Sequence, residues 1–146
     1  MSFSINRRLV RELTLQGLYS IAMTKDNPLK IFNDIQSRCS DSLDEDSIKF
    51  LEELLNKSIQ NENWTRKLIK DRLENWDITR VALIDLLVLQ MMITEMLFIK
   101  DVPPKVSISE GIEIVKKFST DESSSFVNGI LDSIFHSLED LTIPSH

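Results

Sequence analysis

The run ITRVALIDLLVLQMMITEMLFI, residues 78–99, decides the fold. Apolar side chains surround it at helical spacing, so it reads either as a membrane span or as a rod buried inside a helical bundle. Arg80, Asp85, Gln90, Thr94 and Glu95 are spread through it. A charge near the centre of a bilayer-spanning helix costs about 2.5–3.5 kcal/mol, so the buried rod is the cheaper reading. Trp76 and Asp77 mark its entry, and Asp101-Val102-Pro103-Pro104 stops it, because paired prolines remove backbone donors and disfavour a helical residue before them.

Working outward, helical periodicity dominates and alternating strands are scarce. A first helix is expected from about Ile5 to Met23, with Leu9, Leu13, Gly17 and Ile21 in an i, i+4 ladder beside Val10. Arg7, Arg8 and Arg11 project from another sector, and Tyr19 lies three turns below Arg8 on that side. Asn27-Pro28 opens a short second helix with Leu29, Phe32 and Ile35. The polar run SRCSDSLDED is a loop leading to a third helix with Ile48, Leu51, Leu55 and Ile59 on one face. A fourth, near Asn63 to Leu73, turns Trp64, Leu68 and Leu73 inward. Beyond the prolines, Val106 to Phe118 forms a sixth with Ile108, Ile112 and Val115 inward. Ser119-x-x-Glu122 reads as a capping box opening the seventh, where Val127, Ile130, Leu131, Ile134 and Leu138 recur, and the end around Pro144 is expected to fray. The expected class is all-α, with six or seven helices around a buried fifth, in one domain over residues 1–146.

Composition agrees. Hydrophobic residues make up 42% of the 146, enough for an ordinary core, while three glycines and four prolines are too few for a β-sandwich or a disordered linker. The lone Cys39 allows neither an internal disulfide nor a CxxC zinc site, which fits a reducing cytoplasm. The opening MSFSINRRLV has no apolar signal region. Neither a membrane nor a cofactor is expected.

The net charge of −6 argues against generic phosphate binding, but its distribution is uneven. Residues 1–19 set three arginines against Glu12, whereas residues 119–146 hold five acids and no lysine or arginine. An acidic body with a basic corner can hold an anion locally and gains from a basic partner. Catalytic signatures are thin. The histidines, His136 and His146, lack metal-ligand spacing, no phosphate-binding glycine loop exists, and Cys39 sits among acids that raise a thiol pKa. Arginine forks suit phosphate oxygens and aromatic rings accept unpaired bases, so Arg7, Arg8, Arg11 and Tyr19 form the best candidate. Phe118 and Phe126, with Lys116 and Lys117 adjacent, mark a second spot at the last helix junction.

Two stretches then resemble a known family. Arg7-Arg8-Leu9-Val10-Arg11-Glu12 with Leu15-Gln16-Gly17-Leu18-Tyr19, and the C-terminal VPPKVSISEGIEIVKKFSTDESSSFVNGILDSI, are similar to the two signatures of the NusB family of transcription antitermination factors, with Trp76, Arg80, Asp85 and Glu95 framed between them. The resemblance implies two three-helix sub-bundles around a shared central helix and no catalysis. It implies pairing with NusE, a small-subunit ribosomal protein, and binding of the pair to the single-stranded boxA element of ribosomal RNA transcripts, which helps RNA polymerase in an antitermination complex pass terminators. It places Arg7, Arg8 and Arg11 in an arginine-rich RNA-binding motif, and Tyr19, Phe118, Glu122 and Phe126 on or beside the RNA surface. Asp85 falls on an acidic position that faces NusE, and Glu95 on the same helix. Leu9, Gln90 and Ser125 stand where many members carry basic residues, which implies weaker RNA binding by the isolated protein. A homodimer is left open. The competing readings are an RNA-docking domain related to ribosomal RNA cytosine methyltransferases, although the chain holds no G-x-G-x-x-G, and a helical adaptor that binds only proteins.

Overall fold

The structure is a computed structural model that describes residues 6–74, 77–141 and 143. Ile5, Trp76 and Pro144, named above as a helix start, a helix entry and a frayed end, lie outside the described residues. Among the described residues there are seven α-helices, two short 3-10 turns and no strand. The α-helices are α1 (Arg7–Thr24), α2 (Pro28–Arg38), α3 (Glu45–Gln60), α4 (Glu62–Lys70), α5 (Leu83–Phe98), α6 (Pro104–Phe118) and α7 (Asp121–His136). The chain divides into two compact units, Met1–Ile59 and Gln60–His146.

In the first unit each helix start has a local cause. The Asn6 side chain accepts from the Leu9 N–H, and the Asn27 side chain accepts from the Leu29 N–H ahead of Pro28 in the first turn. Asp44 caps α3, its Oδ1 accepting from the Ser47 N–H at 2.8 Å. The Ser47 hydroxyl also hydrogen-bonds the Asp44 carboxylate and accepts from the Asn6 N–H at 3.2 Å, so one buried serine joins the starts of α1 and α3. Gly17 lets α1 approach its neighbours: a Cβ there would meet Ile35 and Ile31 of α2 at 3.2 and 3.3 Å and Leu55 of α3 at 3.4 Å. The buried arc of α1 runs through Val10, Leu13, Thr14, Gly17 and Leu18. It is turned from the expected ladder, leaving Leu9 and Ile21 half-buried, because the helix packs on two neighbours and not one.

The second unit is organised around α5, in which every residue from Asp85 to Met96 is buried. It packs against α4, α6 and α7, and α6 packs against α7. The ring of Trp64 on α4 meets Phe98 edge-on at 6.3 Å. Gly111 of α6 is closest of all: a Cβ would lie 2.8 Å from Cγ of Met92. The guanidinium of Arg72 donates to the Leu68 carbonyl at 3.2 Å and to Oγ of Ser137 at 2.8 Å, tying the end of α4 to the end of α7.

Among the boundaries that differ from the sequence reading, two have a visible local cause. The run from Ile78 is not one helix. Asp77 caps a 3-10 turn, Ile78–Arg80, the chain extends through Val81 and Ala82, and α5 starts at Leu83. The Asp77 side chain captures the Thr79 N–H at 3.0 Å, which competes with α-helical continuation. At α7 the cap is Thr120, accepting from the Ser123 N–H at 3.0 Å, while Ser119 ends α6. The capping box expected at Ser119 and Glu122 is therefore replaced by a cap one residue later.

Candidate nucleic-acid interface

On α1, Arg8, Gln16 and Tyr19 are exposed, and Met23 continues the same face one turn further. Eleven residues make about three turns, so Arg8 and Tyr19 stand roughly 16 Å apart along one side of the helix. Tyr19 is 41% exposed. Arg7 is half-buried, its Cζ 5.2 Å from the centre of the Phe50 ring. Arg11 corrects the sequence reading. It is only 2% exposed and its Cζ lies 5.8 Å from the same ring, so it does not project with Arg8. Three residues on from Arg8 is about 300° around the helix, which carries Arg11 into the arc that α3 covers.

In the second unit, Phe118 is 40% exposed at the end of α6, with Nζ of Lys117 5.4 Å from its ring centre. Glu122 is exposed in the first turn of α7 and Phe126, one turn on, is half-buried. Glu122 and Phe126 line a cavity of about 260 Å³ together with Arg80, Asp85, Thr120 and Ser123, and Val81 and Ala82 complete its wall. Asp85 is 5% exposed and its Oδ2 accepts from the Ser123 hydroxyl at 2.6 Å. Among the described residues its buried Oδ1 has no hydrogen-bond donor. The Ser123 hydroxyl is itself fixed by the hydroxyls of Ser119 at 3.0 Å and Thr120 at 3.1 Å.

The partner-facing role implied for Asp85 and Glu95 meets different geometry. Asp85 sits in a recess and not on an open face. Glu95 is fully buried and accepts a hydrogen bond from the Ser107 hydroxyl of α6, which places it out of reach of a docking protein. Both lie on a helix surrounded by three others, where an acid survives only by finding an internal donor. Gln90 is likewise buried, at 4% exposure, so the basic residue it replaces is not missing from a surface. Leu9 is half-buried and Ser125 exposed. Sequence reasoning did not single out Ser123. It is 38 residues from the carboxylate it serves, and no local pattern announces such a bond.

No group of three or more His, Cys, Asp or Glu side chains among the described residues could hold a metal ion. No helix of the described residues is long and apolar enough to cross a membrane.

Comparison with known proteins agrees with this architecture. The NusB family model matches residues 8–136. A transcription antitermination protein NusB from Chloroherpeton thalassium is 40% identical over 137 residues, covering 92% of this chain; the chain spans 64% of that relative's length. One from Methylacidiphilum infernorum is 40% identical over 134 residues, covering 89% of this chain and 90% of the relative. Among solved structures, T. maritima NusB superposes with a TM-score of 0.81 at 30% identity, over 92% of each chain. A structure of antitermination factors NusB and NusE in complex with dsRNA shares the fold, with a TM-score of 0.80 at 21% identity over 90% of this chain and 96% of that one. With seven helices in the expected order, both signatures present and a family match across nearly the whole length, the chain belongs to the NusB family.

Proposed function

We propose that this protein is a non-catalytic transcription antitermination factor of the cytoplasm, acting as one RNA-binding domain on boxA-type RNA together with NusE. The observation that carries the reading is the exposed Arg8 and Tyr19 on one face of α1, in a chain whose overall net charge is −6. A guanidinium and an aromatic ring presented together provide a phosphate contact and a stacking surface. Arg7 contributes from its half-buried position, and Arg11 acts from beneath by holding the basic turn on Phe50. Phe118, Glu122 and Phe126, in the second unit, offer RNA contacts of their own. A basic ribosomal protein supplies the positive charge this acidic chain lacks. That a protein of the same fold was captured with NusE and double-stranded RNA supports the reading. Docking of NusE is not assigned to Glu95, which is interior.

The deciding experiment is a binding isotherm on boxA RNA, single-stranded and double-stranded, with and without NusE at two salt concentrations. Tighter binding with NusE and a steeper salt dependence are expected. No RNA binding in any arm while NusE pairs normally would leave the protein-only adaptor as the correct reading.

A further inference from the structure

Four methionines fall among the described residues, and their surroundings differ. Met91, Met92 and Met96 lie inside α5 with at most 7% exposure. Met23, in the last turn of α1, is 59% exposed and stands one turn after Tyr19. Single apolar side chains in water are ordinary, so exposure alone means little. Position adds the second fact. Helical side chains tilt toward the N-terminus, so a long side chain covers the turn before its own Cα. With about 5–6 Å between Cβ atoms four residues apart, the Met23 thioether reaches the same ground as the Tyr19 ring. A base stacked on that ring meets the Met23 sulfur at its edge.

A thioether is soft and polarisable, and it favours contact with aromatic rings. It is also open to attack by a peroxide. A sulfur lone pair takes one peroxide oxygen, so that the S–O bond forms as the O–O bond breaks. The proton on the transferred oxygen passes to the departing hydroxide, and water leaves. Sulfur is oxidised by two electrons and the peroxide is reduced. The product is a polar, chiral sulfoxide, which methionine sulfoxide reductases return to the thioether. On Met23 this change puts a polar oxygen where the base edge sits, without disturbing a core. On α5 the same oxygen would disrupt packing, and there burial keeps the oxidant out.

We propose that Met23 is a reversible oxidation site through which peroxide lowers the affinity of α1 for single-stranded RNA, with the charge of the surface unchanged. The proposal rests on the RNA-binding reading above and gives that surface a means of regulation.

The test treats the full chain carrying Cys39→Ser, which removes the one thiol, with dilute hydrogen peroxide. Mass spectrometry of the tryptic peptide Glu12–Lys25 follows the added oxygen. Binding to boxA RNA with NusE present is then measured across a salt series. Met23 should oxidise ahead of the methionines of α5, and affinity should fall about two- to tenfold, the loss of one sulfur–aromatic contact. The salt slope should stay the same, because no phosphate contact is lost. Methionine sulfoxide reductases of both epimer specificities should restore the affinity. Met23→Leu should bind alike before and after peroxide, and Met23→Gln should match the oxidised protein without any treatment. Unchanged affinity at full oxidation of Met23 overturns the proposal and leaves the RNA-binding reading standing. An equal loss in Met23→Leu also overturns it, because the sensitive group is then elsewhere. So does a loss of helical circular dichroism on oxidation, which makes the effect damage and not a lost contact. If the untreated protein does not bind boxA RNA at all, the RNA-binding reading fails and the proposal with it.

Discussion

Arg8 and Arg11 are the same residue type three positions apart, and their environments divide their roles. Arg8→Ala should leave thermal stability within about 0.5 kcal/mol, as for an ordinary surface change, and weaken boxA binding. Its salt slope should fall by about 0.7, the loss of one phosphate contact on a single strand. Arg11→Ala should instead lower stability by about 2 kcal/mol or more, because it removes a buried packing partner and cation–π contact of Phe50. Denaturant unfolding beside an RNA isotherm separates the two; equal stability loss for both would contradict the assignment. Ser47 carries another residue-scale consequence. Ser47→Ala strips a donor from Asp44 and an acceptor from Asn6, and should cost about 1 kcal/mol. The bonds from Ser47 hold the Asp44 carboxyl below its usual pKa, the hydroxyl first and the backbone N–H second. A depressed folded-state pKa means that the stabilisation is fully present above the unfolded value, near pH 4, and is lost as pH falls through the lower folded value. Asp44→Asn keeps the cap and removes the titration, so its stability should fall less than the wild type's between about pH 5 and pH 2 in parallel melts. Asp77, lowered chiefly by the Thr79 N–H, acts with the same sign.

The helices themselves differ in how tightly they are held. In α6, Gly111 marks a close approach to α5, and Gly111→Ala should destabilise by about 1–3 kcal/mol through overpacking against fully buried Met92. In α7, Gly129 has open space where its Cβ would be, so Gly129→Ala should stabilise by about 0.8–1 kcal/mol from helix propensity alone. Opposite signs in thermal melts are the expected result; a destabilising Gly129→Ala would show that α7 is constrained by something beyond its own helix. The helices were legible because each is amphipathic or, for α5, apolar throughout, and periodicity survives small errors of register. Their starts were less so. Ser119 and Thr120 are both good caps, and the choice between them depends on which hydroxyl reaches the Ser123 N–H, at a single residue's difference.

At the scale of the whole molecule, the charge of −6 opposes RNA everywhere except at local basic positions. The isolated protein should therefore show a shallow salt dependence on boxA RNA, with a slope of about −0.7 to −1.4 for one or two phosphate contacts, and a clearly steeper one once NusE is added. A steep slope without NusE, measured by fluorescence anisotropy across a salt series, would mean that more cations reach the RNA than Arg7, Arg8 and their neighbours provide.

By itself the sequence determined the all-α class, the order of the helices, the buried character of α5 and the family, because these follow from periodicity, composition and two long signatures. Only the tertiary structure decided which members of those patterns face solvent. Arg11 and Glu95 went inside, Gln90 with them, and Ser123 came to rest against Asp85. The reason is physical. A helix repeats every 3.6 residues, so spacing assigns a residue to a sector, but the neighbouring helices decide how wide a sector they cover. Burial of a polar group then depends on finding a donor or acceptor far away in sequence, and that is fixed only when the chain has folded.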